Sequence, residues 1–361
     1  MMAVFRSIRR PGPRRLGVLA VLGVVASAPL GPARACDLCA IYTATEMRES
    51  RTGFHVGVAE QYADFGTLKR DGEEVSNPAG EELFSSITQL LLGYNFTPRI
   101  GVQLNVPIIA RTFRRLESGQ IQHGNETGFG DLSLLALARP YSRINDESVV
   151  RVSMFGGLKL PSGSPDRLRE ESEEDHGGAH EDAGALLMDH DTSVARHVHG
   201  GPDHEGEMSG IHGHDLALGS GSVDGVIGAS VYGSWRRVFF VTSVQYLMRT
   251  QGSFDYRYAN DVTWRGGPGV YLLLGHGLFG RDYSLAAQVL TSGEHKGDDE
   301  LDGNDQSDTA ITAVYLGPAL SVTWGTALAA EFEADLPVSQ RNSGLQVVPD
   351  YRLRGGLTWR F

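Results

Sequence analysis

From Arg51 onward the chain repeats segments of about ten residues in which every second position is apolar, with turn-formers between them. A period of two is that of a β-strand, and it sorts side chains onto two faces. The last segment is the sharpest. Tyr351, Leu353, Gly355, Leu357, Trp359 and Phe361 share one face, and Arg352, Arg354, Gly356, Thr358 and Arg360 share the other. In a globular sandwich three arginines on one strand face would meet bulk water. In a closed barrel they meet a wet lumen while the apolar face meets lipid. The chain is therefore predicted to be all-β: a transmembrane antiparallel β-barrel.

Other segments repeat the pattern. Gln103, Asn105 and Arg111 alternate with Val102, Leu104, Val106, Ile108 and Ala110; Lys159 follows the alternation Val150, Val152, Met154; Glu331 and Glu333 alternate with Ala330, Phe332 and Ala334. Gln103, Asn105, Arg111, Lys159, Glu331, Glu333, Arg352, Arg354 and Arg360 are the predicted lumen-lining set. The pattern is expected to keep charge off the lipid face, where it would cost about 2–4 kcal/mol near the midplane. About 12 strands are predicted over residues 53–361. The connections Gly66–Leu83, Thr112–Glu126, Pro161–Ala217, Gln251–Asp261, Gly293–Asp308 and Ser339–Pro349 are long, and those between them are short. Outer-membrane barrels sort their loops this way, with short turns in the periplasm, so the outer membrane of a Gram-negative bacterium is the expected location. No apolar run after Leu30 is long enough for a membrane helix.

Residues 1–35 read as a cleaved signal peptide: a basic start with Arg6, Arg9, Arg10, Arg14 and Arg15, an apolar stretch Leu16–Leu30, and Ala33-Arg34-Ala35 as the cleavage site. Removing its six arginines takes the formal charge from −12 to about −18. So acidic a surface repels phosphate, and no nucleic-acid partner is expected. Residues 36–52 form a periplasmic N-terminal segment with the C-x-x-C pair Cys36 and Cys39, a disulfide candidate in an oxidising compartment. The next residues, Ala40 and Ile41, exclude the haem-attachment pattern.

Pro161–Ala217 has almost no β pattern. It is read as an external loop rich in Asp, Glu and His, and it holds eight of the twelve histidines: His176, His180, His190, His197, His199, His204, His212 and His214. Imidazoles with carboxylates nearby suit zinc, copper or nickel. No structural-zinc spacing is present, so loose, multi-site binding at the loop is expected, with no cofactor required. Two other readings stand beside it. One is a hydrophilic loop without chemistry; the other is a loop that gains charge below about pH 6.5 and closes over the mouth.

Several strand-end motifs occur in order. Gly128-Phe129-Gly130-Asp131-Leu132 opens the fourth strand, Gly157-Leu158-Lys159-Leu160-Pro161-Ser162-Gly163 closes the fifth, and Leu218-Gly219-Ser220-Gly221-Ser222-Val223-Asp224 opens the sixth. With the terminal strand, this set resembles the outer-membrane transporter family labelled phenol-degradation meta-pathway (MetA-pathway) β-barrel proteins. The resemblance implies a porin-like barrel that passes small, hydrophobic or aromatic molecules, and carries no catalytic set. The long His-rich insertion departs from that family and raises a metal ion as cargo or ligand. The terminal Phe361 also resembles the signal read by the barrel assembly machinery. The expected partners are thus outer-membrane lipid, that machinery, and a small solute or metal ion. Gly219-Ser220-Gly221-Ser222 is not a nucleophile elbow, so no enzyme is expected.

Overall fold

The computed structural model describes residues 52–117, 119–178, 209–278 and 281–361. The predicted signal peptide, Cys36 and Cys39 lie outside them. Twelve long strands close into one antiparallel barrel: β1 Gly53–Arg70, β2 Glu82–Thr97, β3 Ile100–Glu117, β4 in two parts (Gln120–Phe129 and Leu132–Ile144), β5 Ser148–Leu160, β6 Asp224–Trp235, β7 Val238–Met248, β8 Asp261–Leu278, β9 Arg281–Lys296, β10 Ile311–Trp324, β11 Leu328–Asn342 and β12 Leu345–Arg360. Each strand pairs with its sequence neighbours. The arginine-bearing β12 closes the ring on β1, in a register running from His55 opposite Arg360 to Arg70 opposite Leu345. Closure leaves no unpaired edge, which a backbone in lipid requires.

The alternation appears as two faces. Val56, Leu92, Leu134, Ile227, Val244, Val289, Leu320, Phe332 and Leu357 stand on the outside, exposed as lipid-facing residues must be in an isolated barrel. Phe54, Phe96, Tyr141, Trp235, Trp359 and Phe361 mark the rim with the short turns.

Two expectations need correction. The Thr112–Glu126 and Ser339–Pro349 connections are mostly strand: β3 and β4 stay paired out to Glu117 opposite Gln120, and the β11–β12 turn is only Ser343-Gly344. In these stretches the inner face packs on the plug, with Phe113, Leu345 and Val347 against Ile211 and Leu216, so the alternation of lipid-facing apolar and lumen-facing polar residues fades while the hydrogen-bond ladder continues. Charge is also not confined to the inner face. Glu60 follows Phe54, Val56 and Val58 on the outer face of β1, where Ser86 and Thr88 of β2 donate hydroxyl hydrogen bonds to its two oxygens at 2.6 and 2.5 Å. Those bonds replace part of the lost hydration.

Inside, the half of the barrel nearest the long loops is filled. Helix α1, Leu168–Gly178, and the helical turn α2, Gly213–Leu216, belong to the connection between β5 and β6. Ile211 and Leu216 pack among Phe65, Leu68, Leu83, Phe113, Leu345 and Val347 of the wall. Leu168 and Ala217 pack against Tyr256 and Leu301, which lie in a small three-stranded sheet of the outer connections. The described ends of the long connection therefore form a plug.

Candidate functional site

The three ordered motifs meet at one buried polar knot. β4 is interrupted at Gly130-Asp131, which turns the Asp131 carboxylate inward. Asp131 Oδ2 accepts from Lys159 Nζ at 2.5 Å, from Ser220 N at 3.0 Å and from Ser220 Oγ at 2.8 Å, and Oδ1 accepts from Gly163 N at 3.0 Å. Lys159 also reaches Asp224 at 2.9 Å, and Arg249 bridges Asp224 and Asp261 at 2.9 and 3.1 Å. The two roots of the plug touch here backbone to backbone: a Cβ on Gly219 would lie 2.6 Å from the Gly163 carbonyl, so glycine is required. Lys159 donates to Ser220 at 2.8 Å, but with two carboxylates against it the ammonium acts as an ion-pair partner, and the group is a structural clasp.

Further contacts hold the plug to the wall. Glu81 accepts from Leu116 N (2.8 Å), Ser209 Oγ (2.5 Å) and Gly210 N (3.0 Å). Arg111 Nη1 donates to the Ala217 carbonyl at 2.7 Å, Arg115 pairs with Glu170 at 2.9 Å, and Arg167 pairs with Glu126 at 2.6 Å. Within the plug, His214 Nδ1 lies 2.9 Å from Glu171 Oε1, and Tyr258 OH donates to the His214 carbonyl at 2.9 Å. Burial opposes charge on His214, but Asp215 and Glu171 outweigh it and lift the imidazole to about 10. Burial likewise opposes charge on Glu171, but His214 and His212 hold that carboxyl down to about 2. The pair is ionic across the physiological range.

Three cavities follow one another along the lumen. The largest, about 630 Å³, opens among the short turns, and its lining includes Tyr232, Phe239, Tyr271, Ser284, Glu331 and Arg360. Tyr232 and Tyr271 share a hydrogen bond of 2.6 Å between their hydroxyls. A middle space of about 120 Å³ is ringed by charge. There Arg265 pairs with Glu333 at 2.9 Å, Arg354 with Asp335 at 3.0 Å, and Arg352 with Glu294 at 2.8 Å. The third, about 100 Å³, lies under the plug between Asn105, Arg111, Asp131, Lys159 and His214.

Of the nine residues expected in the lumen, Gln103, Asn105, Arg111, Lys159, Glu333 and Arg352 are buried, and Glu331, Arg354 and Arg360 border the cavities. Gln103 donates to Asn105 at 2.6 Å, Arg360 to the Thr326 carbonyl at 3.3 Å, and Glu331 lines the two larger cavities. Of the loop histidines, His212 and His214 lie inside the plug and His176 falls on α1. His180, His190, His197, His199 and His204 lie outside the described residues. Glu81, Asp131, Glu171, Arg249 and Glu294 were not selected from sequence. The Gly-Asp motif held Asp131 in plain view, but the others carry no local signal.

No protein-family model and no curated protein matches the chain. Among solved structures, an outer-membrane channel from Pseudomonas putida F1 is similar at 15% identity, over 89% of this chain and 100% of that one, with a TM-score of 0.53. A FadL homologue from Pseudomonas aeruginosa aligns at 10% identity over 87% and 91% of the two chains with a TM-score of 0.32. The monoaromatic hydrocarbon channel CymD aligns at 7% over 86% and 89%, also with a TM-score of 0.32. The P. putida likeness establishes a shared fold. The chain has the fold of a Gram-negative outer-membrane β-barrel.

Proposed function

We propose that this barrel is a plugged channel for small solutes that combine an apolar or aromatic body with a polar group. The observation that carries the reading is the cavity of about 630 Å³, whose lining combines the aromatic Tyr232, Phe239 and Tyr271 with the polar Ser284, Glu331 and Arg360. Small-molecule sites typically combine an apolar wall with a few placed polar groups. The similar P. putida barrel is itself described as an outer-membrane channel, which supports transport over catalysis. The preference for aromatic solutes also draws on the motif resemblance to the meta-pathway family. Ion pairs narrow the middle of the lumen and the plug covers its far end, so passage requires the plug to shift. The histidines of the 161–217 connection gather transition-metal ions at that end.

The test is a planar-bilayer recording of the refolded chain, beside liposome uptake of benzoate and of a sugar of similar size. Discrete steps with faster benzoate entry support the reading. Intact barrels that show neither steps nor uptake overturn it.

A further inference from the structure

The plug places two imidazoles and a carboxylate where one ion can reach all three. One nitrogen from each of His212 and His214 and one oxygen of Asp215 lie within 4.8 Å of one another. The two rings stack at 5.3 Å between centroids. His214 Nε2 faces Asp215 Oδ1 at 3.5 Å, close to the separation of about 3.4 Å that two ligands on a tetrahedral zinc ion would have. The other Asp215 oxygen accepts from the backbone N–H of His212 at 3.0 Å, which fixes the orientation of the carboxylate.

Two observations point beyond a chance cluster. His212 Nδ1 is sealed from solvent and has no hydrogen-bond partner among the described residues. A buried nitrogen without a partner is destabilising unless something is there to bind it. His214 is backed by Glu171, whose oxygen lies 2.9 Å from Nδ1. That leaves Nε2 directed at Asp215, so an ion that displaces the Nε2 proton would find Nδ1–H already held by a carboxylate, as behind a metal-binding imidazole.

We propose that His212, His214 and Asp215 form a built site for one divalent transition-metal ion of the zinc, copper and nickel class, with Glu171 as the positioning residue behind His214. The nitrogen ligands select this class over calcium and magnesium, which prefer all-oxygen shells. Asp308, 3.4 Å from His212 Nε2, stands at the rim of the same group. Binding releases any proton held at the ligating nitrogens. It also ties α2 to α1 through Glu171, so the ion fastens the two ends of the plug to each other. The proposal rests on the metal-binding reading of the connection and narrows it to these three residues.

Cobalt(II) titration of the refolded full chain tests this, because tetrahedral cobalt absorbs in the visible. The decisive form carries asparagine at His176, His180, His190, His197, His199 and His204. It should bind one cobalt ion with a tetrahedral spectrum, which excess zinc displaces. Adding His212→Asn or Asp215→Asn should abolish the spectrum and weaken binding at least tenfold, while heat-shifted gel mobility shows the barrel still folded. Glu171→Gln should weaken binding less. If wild-type chain binds cobalt but the six-asparagine form does not, the site is overturned and the wider loop reading survives. If His212→Asn changes nothing, the site is likewise overturned. If wild-type chain binds no cobalt, both fall.

Discussion

Lys159 Nζ lies 2.5 Å from Asp131 Oδ2, joining the end of β5 to the break in β4 inside the barrel. Asp131 also satisfies two backbone N–H groups of the plug roots, Gly163 and Ser220. Asp131→Ala would strand these two donors, leaving Lys159 to Asp224 alone, and is expected to destabilise the fold by about 1–3 kcal/mol for each stranded donor. Asp131→Asn keeps an acceptor and should lose less. Urea unfolding in detergent, read by heat-shifted gel mobility, measures both. Equal losses for the two variants would show that the charge alone matters.

Arg352 stacks on Tyr315, with the guanidinium carbon 3.6 Å from the ring centroid, and holds Glu294 at 2.8 Å. Tyr315 OH donates to the other Glu294 oxygen at 2.9 Å. Arg352→Ala should leave Glu294 without its cationic partner on the narrow part of the lumen. Conductance should rise and the reversal potential in a KCl gradient should move toward cation selectivity. An unchanged reversal potential would remove this ring from the ion path.

Glu81 receives three hydrogen bonds, two of them from the plug. Bonds to a charged group contribute about 1.5–3 kcal/mol each. Glu81→Leu should therefore release the 209–217 end, speed tryptic cleavage between β5 and β6, and raise open-channel conductance. Faster cleavage with unchanged conductance would mean that the plug does not limit flow.

For the metal-free protein in chelator, the His214–Glu171 pair sets a pH window for the plug. The histidine is raised to about 10, so its contribution is full below an unfolded value of about 6.5 and is lost as pH rises through 10. The carboxyl is lowered to about 2, so its contribution is full above about 4.5 and is lost as pH falls through 2. Protection of the plug from protease should be greatest between about pH 4.5 and 6.5, fall steadily as the pH rises from there, and reach its floor above about pH 10. The His214 ring signals in NMR should show a protonated imidazole at pH 7.5. A midpoint near 6.5 would contradict the ionic pair.

Glu60 faces outward between two hydroxyls. Glu60→Gln should leave stability in a bilayer nearly unchanged, whereas Glu60→Lys should cost about 2–4 kcal/mol if the position lies near the midplane. Urea titration in liposomes separates the two.

The barrel was legible because its determinant is local. Lipid outside and water inside impose a period of two on each strand, and that period survives in any single stretch such as Tyr351–Phe361. Arg352 and Arg354 could therefore be placed in the lumen before their partners were known. Where lipid stops acting the signal stops too, which is why Thr112–Glu126 looked like a loop although most of it is hairpin.

The plug follows a different physics. Asp131 and Ser220 stand 89 residues apart, and His214 and Glu171 stand 43 apart. Nothing periodic links them, because they meet only after the ring has closed and a polar, His-rich segment has found buried partners inside it. The sequence by itself determined that the chain makes a barrel with an apolar outer face and a polar lumen, since solvent on each face acts on every residue separately. Which charges meet, which histidines lie side by side and what fills the lumen were decided only by the tertiary structure, since long-range pairing of buried polar groups depends on the space the closed barrel leaves.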